Sequence, residues 1–165
     1  MKMLEAPDLH FLNAAEGWLE LGNHLEANEE LKRISLPARF HPLVLLARWE
    51  IYAKGGHWEF AHTIAHGLVV LAPDDPRGWI NRSFSLHEMK RTYDAWQTLL
   101  PAADKFPKNP IIAYNLSCYA CQLGRFSEAA EWLKKAIKHG DGKKIKAMAM
   151  ADPDLKPLLK STTAK

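Results

Sequence analysis

Apolar side chains recur along this chain with the spacing of one helix face. Phe11, Ala14, Ala15 and Trp18 form one stripe, and Ala113, Leu116, Ser117 and Ala120 form another, at intervals of three and four. A second set alternates with these: Ala27, Leu31 and Ile34; Ala61, Ala65 and Leu68; Ala95, Leu99 and Ala102; Ala129, Leu133 and Ala136. Each set predicts an amphipathic helix, and the small residues fall where paired helices would cross closely. Shifting the chain by 34 residues lays Ala129 over Ala95, Ala61 and Ala27, and lays Gly124 over Lys90, Gly56 and Gly22. A period in the low thirties holding two helices is the signature of a helical-repeat array.

In this frame the chain divides into a lead-in at 1–7, units at 8–41, 42–75, 76–109 and 110–143, capping helices over 144–160 and a disordered tail at 161–165. Pro42, Pro76 and Pro110 open three of the units, where a missing N–H costs nothing, and Asp75 and Asn109 precede two of them as N-caps. Asp8 is placed to cap the first helix. Gly22, Gly56 and Gly124 stand between the two helices of their units and suit the left-handed residue that ends a helix. Pro101 falls inside a second helix, which predicts a kink near 98–101. Beyond the last unit, Ile145, Met148 and Ala149 share a face that would cover the apolar end of a stack, and Asp152-Pro153 reads as the start of one more turn.

Composition narrows the class. With 165 residues and a hydrophobic fraction of 47%, the chain can bury a core. No run approaches the ~20 apolar residues of a membrane span, and the N-terminal MKMLEAPDLH lacks the apolar centre of a signal peptide, so a cytoplasmic protein without membrane contact is expected. Cys118 and Cys121 are too close in sequence to staple distant parts of a fold, in keeping with a reducing compartment. The net charge of +3 comes from the tail, where Lys143, Lys144, Lys146, Lys156, Lys160 and Lys165 face only Asp152 and Asp154. A basic balance placed there is a poor signal for nucleic-acid binding, which needs cations gathered on one face.

The run Trp79, Leu86, Ala95, Leu99, Ala102 and Pro107, with Leu116, Gly124, Phe126, Ala129, Leu133 and Ala136 in the next unit, resembles the tetratricopeptide repeat over about residues 8 to 143. Arg48 and Arg82 depart from it where the family has leucine, and Trp49 where it prefers a small residue. The resemblance implies an all-α, right-handed α-solenoid of antiparallel helix pairs, whose first helices line a concave groove. It also implies that Arg77, Ile80, Asn81, Phe84 and His87, followed by Ile111, Tyr114, Asn115, Cys118 and Cys121, face that groove. Asn81 and Asn115 then hold equivalent places for bonding the backbone of a bound peptide, with Phe84 and Tyr114 supplying apolar area. The family's carboxylate clamp would need lysine where Leu12 and Leu46 stand.

Other chemistry is thinly supported. Cys118-Tyr119-Ala120-Cys121 puts two thiols on one helix face that His87 of the preceding unit is expected to approach, but a structural zinc wants four ligands and no second such pair exists. His62 and His66 share a face without the glutamate of a zinc protease. There is no phosphate loop, nucleophile elbow or convergent carboxylate pair. The expected function is therefore a non-catalytic scaffold, without cofactor or metal, that binds a peptide or helix of a partner protein in the groove. A secretion-type chaperone for an extended segment, and a metal- or redox-responsive protein using Cys118, Cys121 and His87, are the alternatives. Self-association is also compatible, while RNA binding of the pentatricopeptide kind is disfavoured because the expected groove is not basic.

Overall fold

The computed structural model describes residues 3–158, and these are all-α, with no strand among them. The helices in order are α1 (Asp8–Glu20), α2 (His24–Lys32), α3 (Pro42–Lys54), α4 (Trp58–Leu71), α5 (Pro76–Glu88), α6 (Thr92–Lys105), α7 (Pro110–Gln122), α8 (Phe126–His139) and α9 (Gly142–Ala151). Short 3-10 turns at Leu36–Phe40 and Pro153–Leu155 follow α2 and α9. The expected tail at 161–165 and the last residues of the expected cap lie outside the described residues.

One local solution is used after α1, α3, α5 and α7. The residue past the helix takes a left-handed conformation, with φ of 78° at Gly22, 72° at Gly56, 62° at Lys90 and 75° at Gly124. The next residue then donates its N–H back five positions, as Asn23 to Trp18, His57 to Tyr52, Arg91 to Leu86 and Arg125 to Ala120, each at 2.9 Å. These bonds satisfy carbonyls that a helix end leaves open and set the angle at which the second helix returns. Glycine adopts this conformation without penalty; Lys90 does so against the clash of its own Cβ.

Some helix starts are capped by side chains, while those of α4, α6 and α8 are not. Asn23 accepts from the Glu26 N–H at 3.2 Å, Asn109 from Ile111 at 3.0 Å and Ile112 at 3.2 Å, and Asp141 from Lys143 at 3.0 Å and Lys144 at 3.1 Å. Asp8 does not cap its own helix. Pro7 occupies the N-cap position of α1 and no side chain caps it. The Asp8 carboxylate instead accepts from Ser35, at 2.7 Å from its N–H and 2.6 Å from its hydroxyl. It thereby ties the start of α1 to the end of α2.

The chain forms two compact units, Met1–Ser85 and Leu86–Lys165. In the first, α1 pairs with α2 and α3 with α4. Leu12, Ala15, Leu19, Ala27, Leu31, Ile34, Val44, Ala47 and Ile51 make a continuous buried core there. Gly78 lets α5 approach α4, since a Cβ at that position would lie 3.1 Å from Leu68 Cβ. In the second unit α7 packs between α6 and α8, with α9 against α8 and the last 3-10 turn against α7. Ala95, Leu99, Ala102, Leu116, Ala120, Ala129 and Ala136 are completely enclosed. The alanines of the second helices are thus fully packed between helices. Helix α6 runs through Pro101, with the Thr98 hydroxyl bonded to the carbonyls of Asp94 at 2.8 Å and Ala95 at 3.2 Å. In α9 Ile145 and Ala149 are buried, while Met148 keeps 36% of its surface.

Candidate functional site

In the first unit, α1, α3 and the start of α5 border an open cavity of about 540 Å³. Leu19, Leu46, Ala47 and Trp49 supply its apolar lining; Glu16, Glu20, Glu50, Lys54, Arg77 and Asn81 supply its polar rim. The Trp49 ring is held by its indole N–H, which donates to Ser85 Oγ at 3.0 Å, while that hydroxyl donates to the Asn81 carbonyl at 2.8 Å. Phe84 meets Trp49 edge-on at 6.4 Å and Trp58 at 5.8 Å, so it works as a wedge between helices.

The charges on this face do not balance. Arg77 grips Asp75 through two parallel bonds, Nε to Oδ1 at 3.0 Å and Nη2 to Oδ2 at 2.6 Å. This pairing holds the Asp75 carboxyl below the usual range and pushes Arg77 up. Lys54 lies 3.6 Å from Glu50. Both cations are therefore neutralised locally, whereas Glu16 and Glu20 have no ion-pair partner among the described residues. The Asn81 side-chain amide likewise has no hydrogen bond among the described residues.

The second unit presents a different arrangement. Tyr114 donates its hydroxyl to Asp152 Oδ2 at 2.8 Å, and Cys118 Sγ lies 3.5 Å from the same oxygen. His87 Nε2 is 2.8 Å from Asp154 Oδ2, and the Gln122 amide donates to the Asp154 carbonyl at 2.8 Å. The other His87 nitrogen is 3.0 Å from the Thr92 hydroxyl, and its ring lies 5.0 Å from that of Tyr119. Leu155 and Leu158 are buried alongside, at 0% and 4% exposure. Burial, with Asp152 beside them, raises the Tyr114 hydroxyl and the Cys118 thiol; burial likewise raises Cys121. Such thiols are poor nucleophiles, because that role needs the thiolate. Among the described residues no three His, Cys, Asp or Glu side chains are grouped to hold a metal ion.

The expected groove residues thus divide by unit. Arg77 is exposed, and Ile80, Asn81 and Phe84 are half-buried in the first unit. In the second, Asn115 is half-buried with no side-chain hydrogen bond among the described residues, while His87, Tyr114 and Cys118 meet residues 152–158 of their own chain. Trp49, Glu16 and Glu20 were not among the expected site residues, nor were Gln122, Asp152 and Asp154. The acidic spacing of Glu16 and Glu20, four apart on α1, is the signal that could have found the first of these.

No family model matches the chain, and no curated protein matches its sequence. Solved structures do match. MamA, from residue 41 to its end, of Desulfovibrio magneticus RS-1 superposes with a TM-score of 0.72 at 17% identity, covering 98% of this chain and 94% of that one. A double mutant of RS-1 MamA gives 0.71 at 14% identity over 85% and 79%. MamA of AMB-1 gives 0.65 at 18% identity over 96% and 95%. MamA is a tetratricopeptide-like helical-repeat protein. This chain has that fold. It is an all-α solenoid of repeated helix pairs. At such identities the likeness is one of architecture, and no described helix is long and apolar enough to cross a membrane.

Proposed function

We propose that this protein is a non-catalytic protein-interaction scaffold whose first-helix faces hold an extended segment of a partner protein. The observation that carries this reading is the open cavity of the first unit, with an apolar floor at Leu46, Ala47 and Trp49 and the unbonded amide of Asn81 at its rim. An extended chain needs such an amide, which can donate to and accept from one peptide unit, together with a pocket for an alternate side chain. Glu16 and Glu20 set the sign of the partner: a segment with lysine or arginine beside an apolar residue fits this face. Arg77 and Phe84 act here as support, through the Asp75 pair and the tryptophan wedge. In the second unit Asn115 offers the equivalent amide on α7.

Affinity capture from native extract tests this, comparing wild type with an Asn81→Ala/Glu20→Lys variant shown by circular dichroism to keep its helicity. The expected result is a defined partner held by wild type and lost with the variant. Equal capture by both would remove the first-unit face from the reading.

A further inference from the structure

We propose that the α7 face of the second unit is a recognition site for an acidic Asp-Pro-Asp-Leu-type segment, filled in cis by residues 152–158 and able to take the same kind of segment from a partner protein. This rests on the reading of first-helix faces as ligand surfaces, and it names the ligand chemistry for one of them.

The contact has the make-up of bound peptide more than of a helix cap. A cap that only covers an apolar end needs burial, as Ile145 and Ala149 of α9 provide. Residues 152–158 are instead met by polar side chains from two helices: Tyr114 and Cys118 at Asp152 Oδ2, His87 at Asp154 Oδ2, Gln122 at the Asp154 carbonyl, and Cys121 at the Leu158 backbone. One donor set meets each carboxylate and one meets the backbone, so sequence and main chain are both sensed. Leu155 is the apolar anchor, fully enclosed, with Leu158 beside it.

The receiving side is held in place by bonds that do not involve the segment. Thr92 fixes the far nitrogen of His87 at 3.0 Å, and the Tyr119 ring backs the imidazole. Such support is what a preorganised site requires. The occupying side is short: a 3-10 turn at Pro153–Leu155 that runs into a helical turn at 156–158, tethered to α9 through Asp152. Pro153 limits the freedom that the segment loses on docking.

A tethered segment competes at an effective concentration on the order of millimolar, so a free peptide is masked in the wild-type protein. Weakening the cis contact should unmask it. Asp152→Asn/Asp154→Asn in the full chain keeps the capping oxygen and both leucines but removes the two charges, and charge-assisted bonds are roughly twice as strong as neutral ones. The probe is a fluorescent peptide of residues 151–158, Ala-Asp-Pro-Asp-Leu-Lys-Pro-Leu, followed by anisotropy.

The variant is expected to bind this peptide at least about tenfold more tightly than wild type, and a peptide with both aspartates replaced by asparagine at least about tenfold more weakly. Equal binding to wild type and variant, or equal binding of the two peptides, overturns the proposal, and so does loss of helicity in the variant, which would make the segment an integral cap. A second readout uses the thiols. Cys118 and Cys121 should label about tenfold faster in the variant while amide exchange in α6 and α8 is unchanged; equal labelling rates overturn the proposal independently. If the peptide result fails while capture through Asn81 and Glu20 persists, this inference falls alone. If both fail, the scaffold reading falls with it.

Discussion

Tyr114 and Asp152 are joined by a 2.8 Å hydrogen bond across 38 residues of chain, and the same carboxylate caps the turn that follows it by accepting from the Asp154 N–H at 2.9 Å. One oxygen serves local structure and the other serves the α7 face. Tyr114→Phe removes only the long-range bond. Because Asp152 keeps partial access to water, the expected cost lies at the low end for a bond to a charged group, about 1.5 kcal/mol. A urea-unfolding midpoint that does not move would show that the bond contributes nothing.

Lys90 holds the place that glycine holds at Gly22, Gly56 and Gly124, with φ at 62°. A side chain in this conformation costs roughly 1–2 kcal/mol, part of which glycine returns to the flexibility of the unfolded chain. Lys90→Gly should therefore stabilise the protein by about 1 kcal/mol, and Gly124→Ala should destabilise it by a similar amount. Thermal unfolding of the two variants reads both signs.

The Asp8 carboxylate is held below its ordinary value of 3.8 by the Ser35 hydroxyl first and the Ser35 N–H second. A group depressed in the folded state adds stability above its unfolded value and loses that stability as pH falls through its folded value. Ser35→Ala should return the Asp8 titration toward 3.8, followed by NMR. It should weaken the protein at neutral pH and lose most of that effect below the folded value. An Asp8 titration unchanged by the substitution would contradict the contact.

Cys118 and Cys121 are nearly enclosed, at 5% and 2% exposure, and burial raises both thiols. Labelling with a thiol reagent at pH 8 should be slow in the native protein and fast in denaturant, with Tyr114→Phe in between. Rapid native labelling would mean that residues 152–158 do not stay on α7.

Much of the fold was legible because repeat packing writes itself into short-range chemistry. Ala61, Ala95 and Ala129 must be small where helices cross, and Gly22, Gly56 and Gly124 must take a left-handed conformation, so both recur in register. The cap signal at Asn109 is equally local, whereas the Asp141 cap of α9 was not read. The pairing of Asp8 with Ser35 was not legible, since an aspartate ahead of a helix reads first as its cap. Asp152-Pro153 read as a local start signal and is one here, but the second carboxylate oxygen bonds a tyrosine distant in sequence, which no local signal showed. Groove positions carried by the family resemblance identified α7 as a face of interest without showing that this chain fills it. The acidic rim of the first unit went unseen because Glu16 and Glu20 look like ordinary solvated helix charges until Arg77 and Lys54 are found engaged elsewhere.

The central claim is that partner protein is held on the first-helix faces. Site-specific photo-crosslinking tests it most directly, with the photoreactive residue replacing Glu50 on the α3 face in one sample and Phe60, exposed on α4, in another. The account predicts a crosslinked partner band from position 50 that disappears with Asn81→Ala/Glu20→Lys, and none from position 60. Crosslinking at position 60, or a band from position 50 indifferent to those substitutions, would contradict it.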